Sequence, residues 1–568
     1  MEKSAMMIPD TLELTDRAEV ALHHLTSNVD PKLNYTPYFY LNMVGDPPSC
    51  IHENWDYGDI TARYIDAIVS LRQMTGSKTG LKVERKLKQL LVSTFSKKDG
   101  LSYRLKQPWT KVHAGMFDQG RTMMALTTWY METKDKKVLE SGKRLVQGLW
   151  NIAIPAIREE KGYAYCYYPY SAYYPNGWDP TEVAEPTCYG GGCSIYSVVK
   201  FYEISGYPLA DRLAERLVNN NVYESEVFST TGDFRPKRNT FESGHFHSKT
   251  LTVLGVLKYA ILHKRKDLVE WSIRAFEFAL TQGTSFGWFP EGLGIPEAFG
   301  TELKPHSETC CTTDMIEIAI LLAKNGYPQY WNQVERFTRN YLIESQISDI
   351  TWMLQKKYKK RKDTPRERFT DAPEIIRGGF VGRCLPHDLI VDGFLMGCCC
   401  GAGARAIYQI WDNAVEQKAG KVIVHLLMNR RSSELEIQSF LPYLGKIVLK
   451  NIKGRTLSLR IPDWVNKKQI TAEKNGTKCT FQIKKGYIEF QGLKPKDIIT
   501  VQWLIKTIRK KESFLKWNFQ VDWRGDTIIR IKPQGEKVPF YQREDMDSEQ
   551  VPYREIAGSP NQKVTIHW

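Results

Sequence analysis

Through roughly the first two-thirds of the chain, apolar residues recur every three or four positions, the period of a helix that buries one face. The segments "ITARYIDAIVSLRQMTG", "GRTMMALTTWYMETKD", "CSIYSVVKFYEISG", "HSKTLTVLGVLKYAILHKRKD" and "MIEIAILLAKNG" share one shape, an amphipathic helix running into a small turn. Their ends fall near Gly76, Asp135, Gly206, Lys264 and Gly326. The interval of about 60 residues suits one long helical hairpin with its loops. Glycine at three of these ends fits the left-handed residue that closes a helix. A hairpin recurring over about 400 residues predicts an (α/α)6 barrel whose inner helices line a central cleft. After Trp411 the texture changes to "KVIVHLL", "ELEIQSF", "KIVLKNI", "TLSLRIPDW", "GYIEFQG" and "IITVQWLI". These runs are short and rich in β-branched residues, and in "TLSLRIP" Leu457, Leu459 and Ile461 alternate with Ser458 and Arg460, the period of a strand. A multidomain chain, α then β, is therefore expected: an α/α barrel over residues 1–415, then a β-sandwich over residues 416–568 ending in a polar tail.

A length of 568 residues exceeds one ordinary core and agrees with two units. The net charge is +15, spread along the chain except for the run Lys356 to Arg368. No helix-turn-helix, zinc-finger spacing or RNA-binding signature accompanies that run, so it reads as a solvated loop and no nucleic-acid partner is expected. No apolar run approaches the ~18 residues of a membrane span. The N-terminus lacks the apolar segment of a signal peptide, so a cytoplasmic location is expected. Eleven cysteines argue for free thiols in a reducing compartment rather than a disulfide framework. They are uneven: Cys310 and Cys311 form one group, and Cys398, Cys399 and Cys400 another.

The cysteine groups change the picture most. In "HSETCCTTDM" Glu308 and Cys310 precede a helix, and in an extended segment residues two apart point the same way. "CCCGAGARAIYQIW" reads as a glycine turn, at Gly401 and Gly403, running into another helix. Both groups would lie at helix N-termini, where thiolate is favoured. One carboxylate and three cysteine sulfurs make a closed, tetrahedral, zinc-type set. A proton donor is also needed for chemistry, and "WFPEGLGIPEAFGTELKPHSETC" offers Glu291, Glu297 and Glu302.

This combination resembles the β-L-arabinofuranosidase-type glycoside hydrolases, retaining enzymes that use a zinc-bound cysteine as nucleophile. The motifs that carry the resemblance are "EAF" at Glu297 to Phe299, "ETC" at Glu308 to Cys310 and "CCCGAG" at Cys398 to Gly403. "VHAGMFD", "SGHFHSKT", "YWNQVERFTRNYL" and "LSLRIPDW" with "GYIEF" are similar to further family segments. The likeness spans roughly residues 60–510. It implies an (α/α)6 catalytic barrel and a Zn2+ ion held by Glu308, Cys310, Cys398 and Cys399, with Cys400 a bystander. It further implies that Cys398 attacks the anomeric carbon, that Glu297 is the acid/base, and that His113, His245 and Glu335 bind sugar hydroxyls. The implied substrate is an oligosaccharide or glycoconjugate carrying β-L-arabinofuranose or a related furanose; a homodimer is compatible with this.

The chain departs from the family pattern around the sugar. Glu297 and Glu308 are closer in sequence than the family spacing. "GGGCS" at Gly190 to Ser194 lacks the family's carboxylate, for which Glu182 or Glu185 could substitute. Ser248 and Lys249 stand near an expected arginine. Two rival readings follow: a polysaccharide lyase or epimerase on the same barrel, using "CYGGG" and "WDYGD", or a non-catalytic carbohydrate-binding protein with a structural zinc.

Overall fold

The computed structural model describes residues 6–181, 186–235, 244–293, 306–450, 452–514 and 517–556. Its first part is mostly helical. The helices that matter here are α1 (Leu14–Ser27), α2 (Thr61–Thr75), α3 (Leu81–Ser93), α4 (Met116–Thr133), α5 (Lys136–Ile152), α6 (Gly192–Ser205), α7 (Pro208–Asn219), α8 (Phe246–Leu262), α9 (Lys266–Thr281), α10 (Thr309–Lys324), α11 (Trp331–Phe337) and α12 (Gly397–Asn413). The even-numbered helices pack in succession, α2 on α4, α4 on α6, α6 on α8, α8 on α10 and α10 on α12, and α12 returns to α2. Each odd-numbered helix from α3 to α11 packs outside the even-numbered helix before it, while α1 covers α2 and α12.

The two sets of helices differ in sequence for a physical reason. An outer helix has one wet face, and α5 buries Val138, Gly142, Leu145, Val146, Leu149 and Ile152 on a single stripe. An inner helix is covered all round: α6 is buried without a break from Gly192 to Phe201. The predicted caps are present at Gly76 (φ 68°) and Gly206 (φ 63°), which close α2 and α6 in the left-handed conformation.

The remainder is β-rich. One sheet has five strands (Val415–Lys418, Lys421–Val424, Thr456–Arg460, Tyr487–Gln491 and Gln482–Lys484), and the facing sheet has six, including Lys446–Lys450 and Ile499–Gln502. Val422, Leu457, Leu459, Ile447, Leu449 and Val501 fill the apolar core they share. Thr456–Arg460 is a central strand, so its polar members Ser458 and Arg460 are buried as well as its leucines. A third sheet (Thr507–Phe514, Trp517–Arg524 and Thr527–Lys532) turns the other way: Phe519, Val521, Ile528 and Ile531 join the core of the helical region. The polar C-terminal stretch also has structure, since Tyr553–Ile556 pairs antiparallel with Met6–Pro9. The basic run is an exposed segment that ends by pairing Glu367 and Arg368 with Ile51 and Cys50.

Glu335 belongs to the join between the two regions. It is 1% exposed on α11, accepts hydrogen bonds from Arg339 Nε (2.9 Å) and the Leu427 N–H (3.2 Å), and pairs with Arg460 of the central strand. Removing it strands two buried guanidinium groups, so Glu335→Ala is expected to lower stability by about 3–5 kcal/mol. The check is denaturant unfolding; a changed KM with an unchanged midpoint would instead restore a role in sugar binding.

Candidate active site and metal centre

The first turns of α10 and α12 carry the cysteines. Glu308 is the extended residue before α10 (φ −133°, ψ 127°), and Cys310 lies inside the first turn. Their closeness therefore comes from a helix start and not from the extended segment predicted. Cys398 and Cys399 lie in the first turn of α12, which starts at Gly397. The predicted glycine turn is also corrected: Gly401 and Gly403 lie within the helix. They are small because neighbours press on them. A Cβ on Gly401 would come within 2.8 Å of the Arg63 Cβ, and one on Gly403 within 2.5 Å of the Phe380 ring.

One oxygen of Glu308 and the sulfurs of Cys310, Cys398 and Cys399 all lie within 4.8 Å of one another, and all four residues are buried. Cys310 Sγ is 3.7 Å from Cys399 Sγ, and Cys398 Sγ is 3.9 Å from both Cys399 Sγ and Glu308 Oε1. Four ligands at Zn–S distances of about 2.3 Å in a tetrahedron place their sulfurs about 3.8 Å apart, so this donor set fits a zinc-type ion. Cys400 points elsewhere: its sulfur meets the Phe380 carbonyl (3.6 Å) and N–H (3.4 Å).

The thiols differ electrostatically in the absence of a metal. Hydrogen bonds from Cys310 and Cys399 push the Cys398 thiol down against the opposing effect of burial. Burial pushes Cys310 and Cys399 up, so Cys398 is the thiol of the three whose ionisation is favoured. Burial, then the nearby Cys310 sulfur, raises Glu308. His245 Nε2 lies 2.9 Å from Glu308 Oε2, and its Nδ1 lies 2.8 Å from Ser248 Oγ.

The cluster forms part of the wall of a cavity of about 370 Å³. Cys398 and Glu308 face it, as do His113, His245, Trp55, Arg104 and Arg383. His113 is nearly buried and packs its ring on Tyr174 at 5.5 Å. Glu335 does not line this cavity. Of the three acid candidates, Glu291 reaches it, but Arg383 grips both carboxylate oxygens (2.8 and 2.9 Å) and His306 lies 2.5 Å away. Burial raises its pKa, yet these partners overcome that effect and hold the carboxyl well below its usual range. In this arrangement the Glu291 carboxylate is tied to Arg383 and His306. Glu297 and Glu302 lie outside the described residues, as do Glu182 and Glu185.

Sequence reasoning missed the polar layer behind the sulfurs. Arg63 Nη1 lies 3.8 Å from Cys310 Sγ and 3.5 Å from the Cys398 carbonyl. His247 Nε2 meets Arg121 Nη2 (2.8 Å) and Arg63 Nη2 (3.3 Å), while its Nδ1 meets Asp314 (2.6 Å). The one available sequence signal was a second histidine, two positions after His245, at the start of α8.

No protein-family profile matches this chain, and no curated protein does. Solved structures do. The fold is similar to that of a GH127 β-L-arabinofuranosidase from Geobacillus stearothermophilus T6, with 15% identity, a TM-score of 0.56, and coverage of 91% of this chain and 80% of that one. It is also similar to a structure described as a glycoside hydrolase (14% identity, TM-score 0.57, 92% and 81% coverage). A second GH127 β-arabinofuranosidase gives 14% identity, a TM-score of 0.54, and 90% and 79% coverage. At these identities the likeness is one of fold, a glycoside-hydrolase-like arrangement in which this chain carries its own Glu/Cys cluster.

Proposed function

We propose that the chain is a retaining glycoside hydrolase of the zinc–cysteine type, acting on a β-L-arabinofuranoside or related furanoside in an oligosaccharide or glycoconjugate. In this reading the cyclic succession of inner helices is an (α/α)6 barrel. Residues 1–415 then form the catalytic unit, and residues 416–568 form the β-rich unit braced against it. The observation that carries the reading is the four-ligand cluster with Cys398 facing a sugar-sized cavity. The fold similarity supports the reaction class, and the unbridged state of all eleven cysteines supports a reducing compartment such as the cytoplasm.

Glu308, Cys310, Cys398 and Cys399 would hold the zinc ion. When bound, it supplies the charge that keeps the three sulfurs deprotonated at neutral pH. The Cys398 sulfur donates its electron pair to the anomeric carbon as the glycosidic C–O bond breaks. Glu297 gives its proton to the departing oxygen, leaving a thioglycoside on Cys398. Glu297, now a carboxylate, takes a proton from water as that water attacks the same carbon, and the thiolate is released with overall retention. His113 and His245 would bind sugar hydroxyls; both line the cavity, and His245 Nε2 meets Glu308, which supports this reading.

The test combines metal analysis with a substrate panel. The expected results are one zinc per chain by mass spectrometry and release of p-nitrophenol from the β-L-arabinofuranoside in preference to pyranosides. An ultraviolet-absorbing unsaturated product would favour a lyase instead. Sugar binding without turnover by the zinc-loaded protein would favour a binding protein.

A further inference from the structure

The inner face of the helical ring sets two guanidinium groups side by side, one of them against the sulfurs. Arg63 on α2 and Arg121 on α4 both direct Nη2 at one imidazole nitrogen, His247 Nε2 (3.3 and 2.8 Å). Both guanidinium groups also cover one ring face region, lying 5.5 and 4.7 Å from the Phe117 centroid. An imidazole nitrogen that accepts from two guanidinium groups carries no proton, so the His247 N–H is on Nδ1, toward Asp314 Oδ2 at 2.6 Å. His247 is thus neutral and clamps two cations together without offsetting either charge.

One carboxylate lies between the pair. Asp59 Oδ1 is 2.6 Å from Arg63 Nε and 3.7 Å from Arg121 Nε. It neutralises one of the two charges. The other acids nearby have other partners: Asp118 is held by both ends of Arg104 (2.6 and 3.0 Å), and Asp66 and Glu317 by Arg405 (2.9 and 2.7 Å). Asp314, also buried, binds His247 and the Thr250 hydroxyl. Asp314 supplies a second carboxylate behind His247, whereas Arg63, whose Nη1 faces Cys310, gains further from an anion at the sulfurs. The loaded cluster supplies one: a divalent ion with one carboxylate and three thiolates carries a net charge of −2, almost without solvent. Arg63 lies between the two sides, its Nη1 3.8 Å from Cys310 Sγ. Its place is fixed from both faces, by Asp59 in the turn just before α2 and by Gly401, whose missing Cβ lets α12 close on the Arg63 stem.

We propose that Arg63, paired with Arg121 through His247 and Asp59, is the internal counter-cation of the loaded metal centre and a positioning residue for the Cys398 sulfur. This rests on the metal-centre reading above and goes beyond it by assigning residues outside the four ligands. Removing an outer partner of this kind weakens metal binding by about 10- to 100-fold.

The experiment measures affinity for zinc alone by chelator competition, and the thiolate-to-cobalt absorption of the cobalt-loaded protein. Wild type, Arg63→Lys, Arg63→Met and Arg63→Ala are compared, with melting curves as a folding control. Arg63→Met is expected to lose about 10- to 100-fold in zinc affinity and to shift the cobalt band, while Arg63→Lys recovers most of the affinity. Because Arg63 lines the open cavity, millimolar guanidinium should restore zinc affinity to Arg63→Ala, a rescue that a purely packing role would not give. If Arg63→Met misfolds, Arg63→Lys and the guanidinium titration of Arg63→Ala decide alone. Zinc affinity in Arg63→Met within threefold of wild type with an unchanged cobalt spectrum overturns the inference, as does absence of guanidinium rescue in folded Arg63→Ala. Failure of wild type to bind zinc or cobalt would sink the metal-centre reading itself and is a separate outcome.

Discussion

Cys398→Ser is expected to abolish turnover, by about 10⁴-fold or more in kcat/KM, while leaving the fold and the cavity in place. Cys398 alone among the three clustered sulfurs faces the cavity, and its neighbours push its thiol down while burial pushes the other two up. A serine hydroxyl keeps the volume but offers a much weaker nucleophile and a harder ligand. The companion variant Cys399→Ser separates the two roles of sulfur in this cluster. Cys399 is fully buried and does not reach the cavity, so its replacement should weaken metal binding yet retain measurable activity at saturating zinc. Retention of more than a tenth of wild-type activity in zinc-saturated Cys398→Ser would remove it as nucleophile. Glu297→Gln should slow leaving-group departure most for poor leaving groups, and azide should restore part of the rate.

The donors of the candidate metal centre were legible because each sits at the start of a helix whose apolar period is easy to read, and cysteines in tandem are conspicuous. What holds them together was not. Gly401 and Gly403 suggested a turn, since glycine allows bends that other residues resist. Here they instead permit close approach of α12 to α2 and to Phe380, and a linear sequence does not show which element presses on which. Glu335 had a clear helical setting, but its partner Arg460 is 125 positions away on a central strand. Burial of a carboxylate is visible only through such a distant ion pair. Arg63, Arg121 and Asp314 were hidden for a related reason. Periodicity treats polar residues as the wet face of a helix, whereas the inner helices here are covered all round and turn buried charges toward one another. The strand texture after Trp411 was read correctly as β, yet the sheet over 507–532 sends its apolar face to the helical core. Alternation tells that one face is covered and not what covers it.

Cys310→Ala should remove the metal and, with it, the stabilisation that the metal gives. Cys310 is buried in the first turn of α10, with the Cys399 sulfur at 3.7 Å and the Arg63 guanidinium at 3.8 Å. A ligand that binds only the folded state adds about 4 kcal/mol at a thousand times its Kd, so zinc should raise the wild-type melting temperature. The same addition should leave Cys310→Ala unmoved, with less than 0.1 zinc per chain by mass spectrometry. The pH dependence gives an independent check of sign. Burial pushes the Cys310 and Cys399 thiols up, so both are protonated near neutrality in the metal-free protein, and loading must release about two protons. Affinity should therefore fall as pH falls, by up to about 100-fold per unit while both thiols remain protonated. In Cys310→Ala any residual binding should show about half that slope on a logarithmic scale, since one of the two protons is gone. A zinc affinity independent of pH between 6 and 8 would mean that the sulfurs are not the ligands, whatever the activity of the protein.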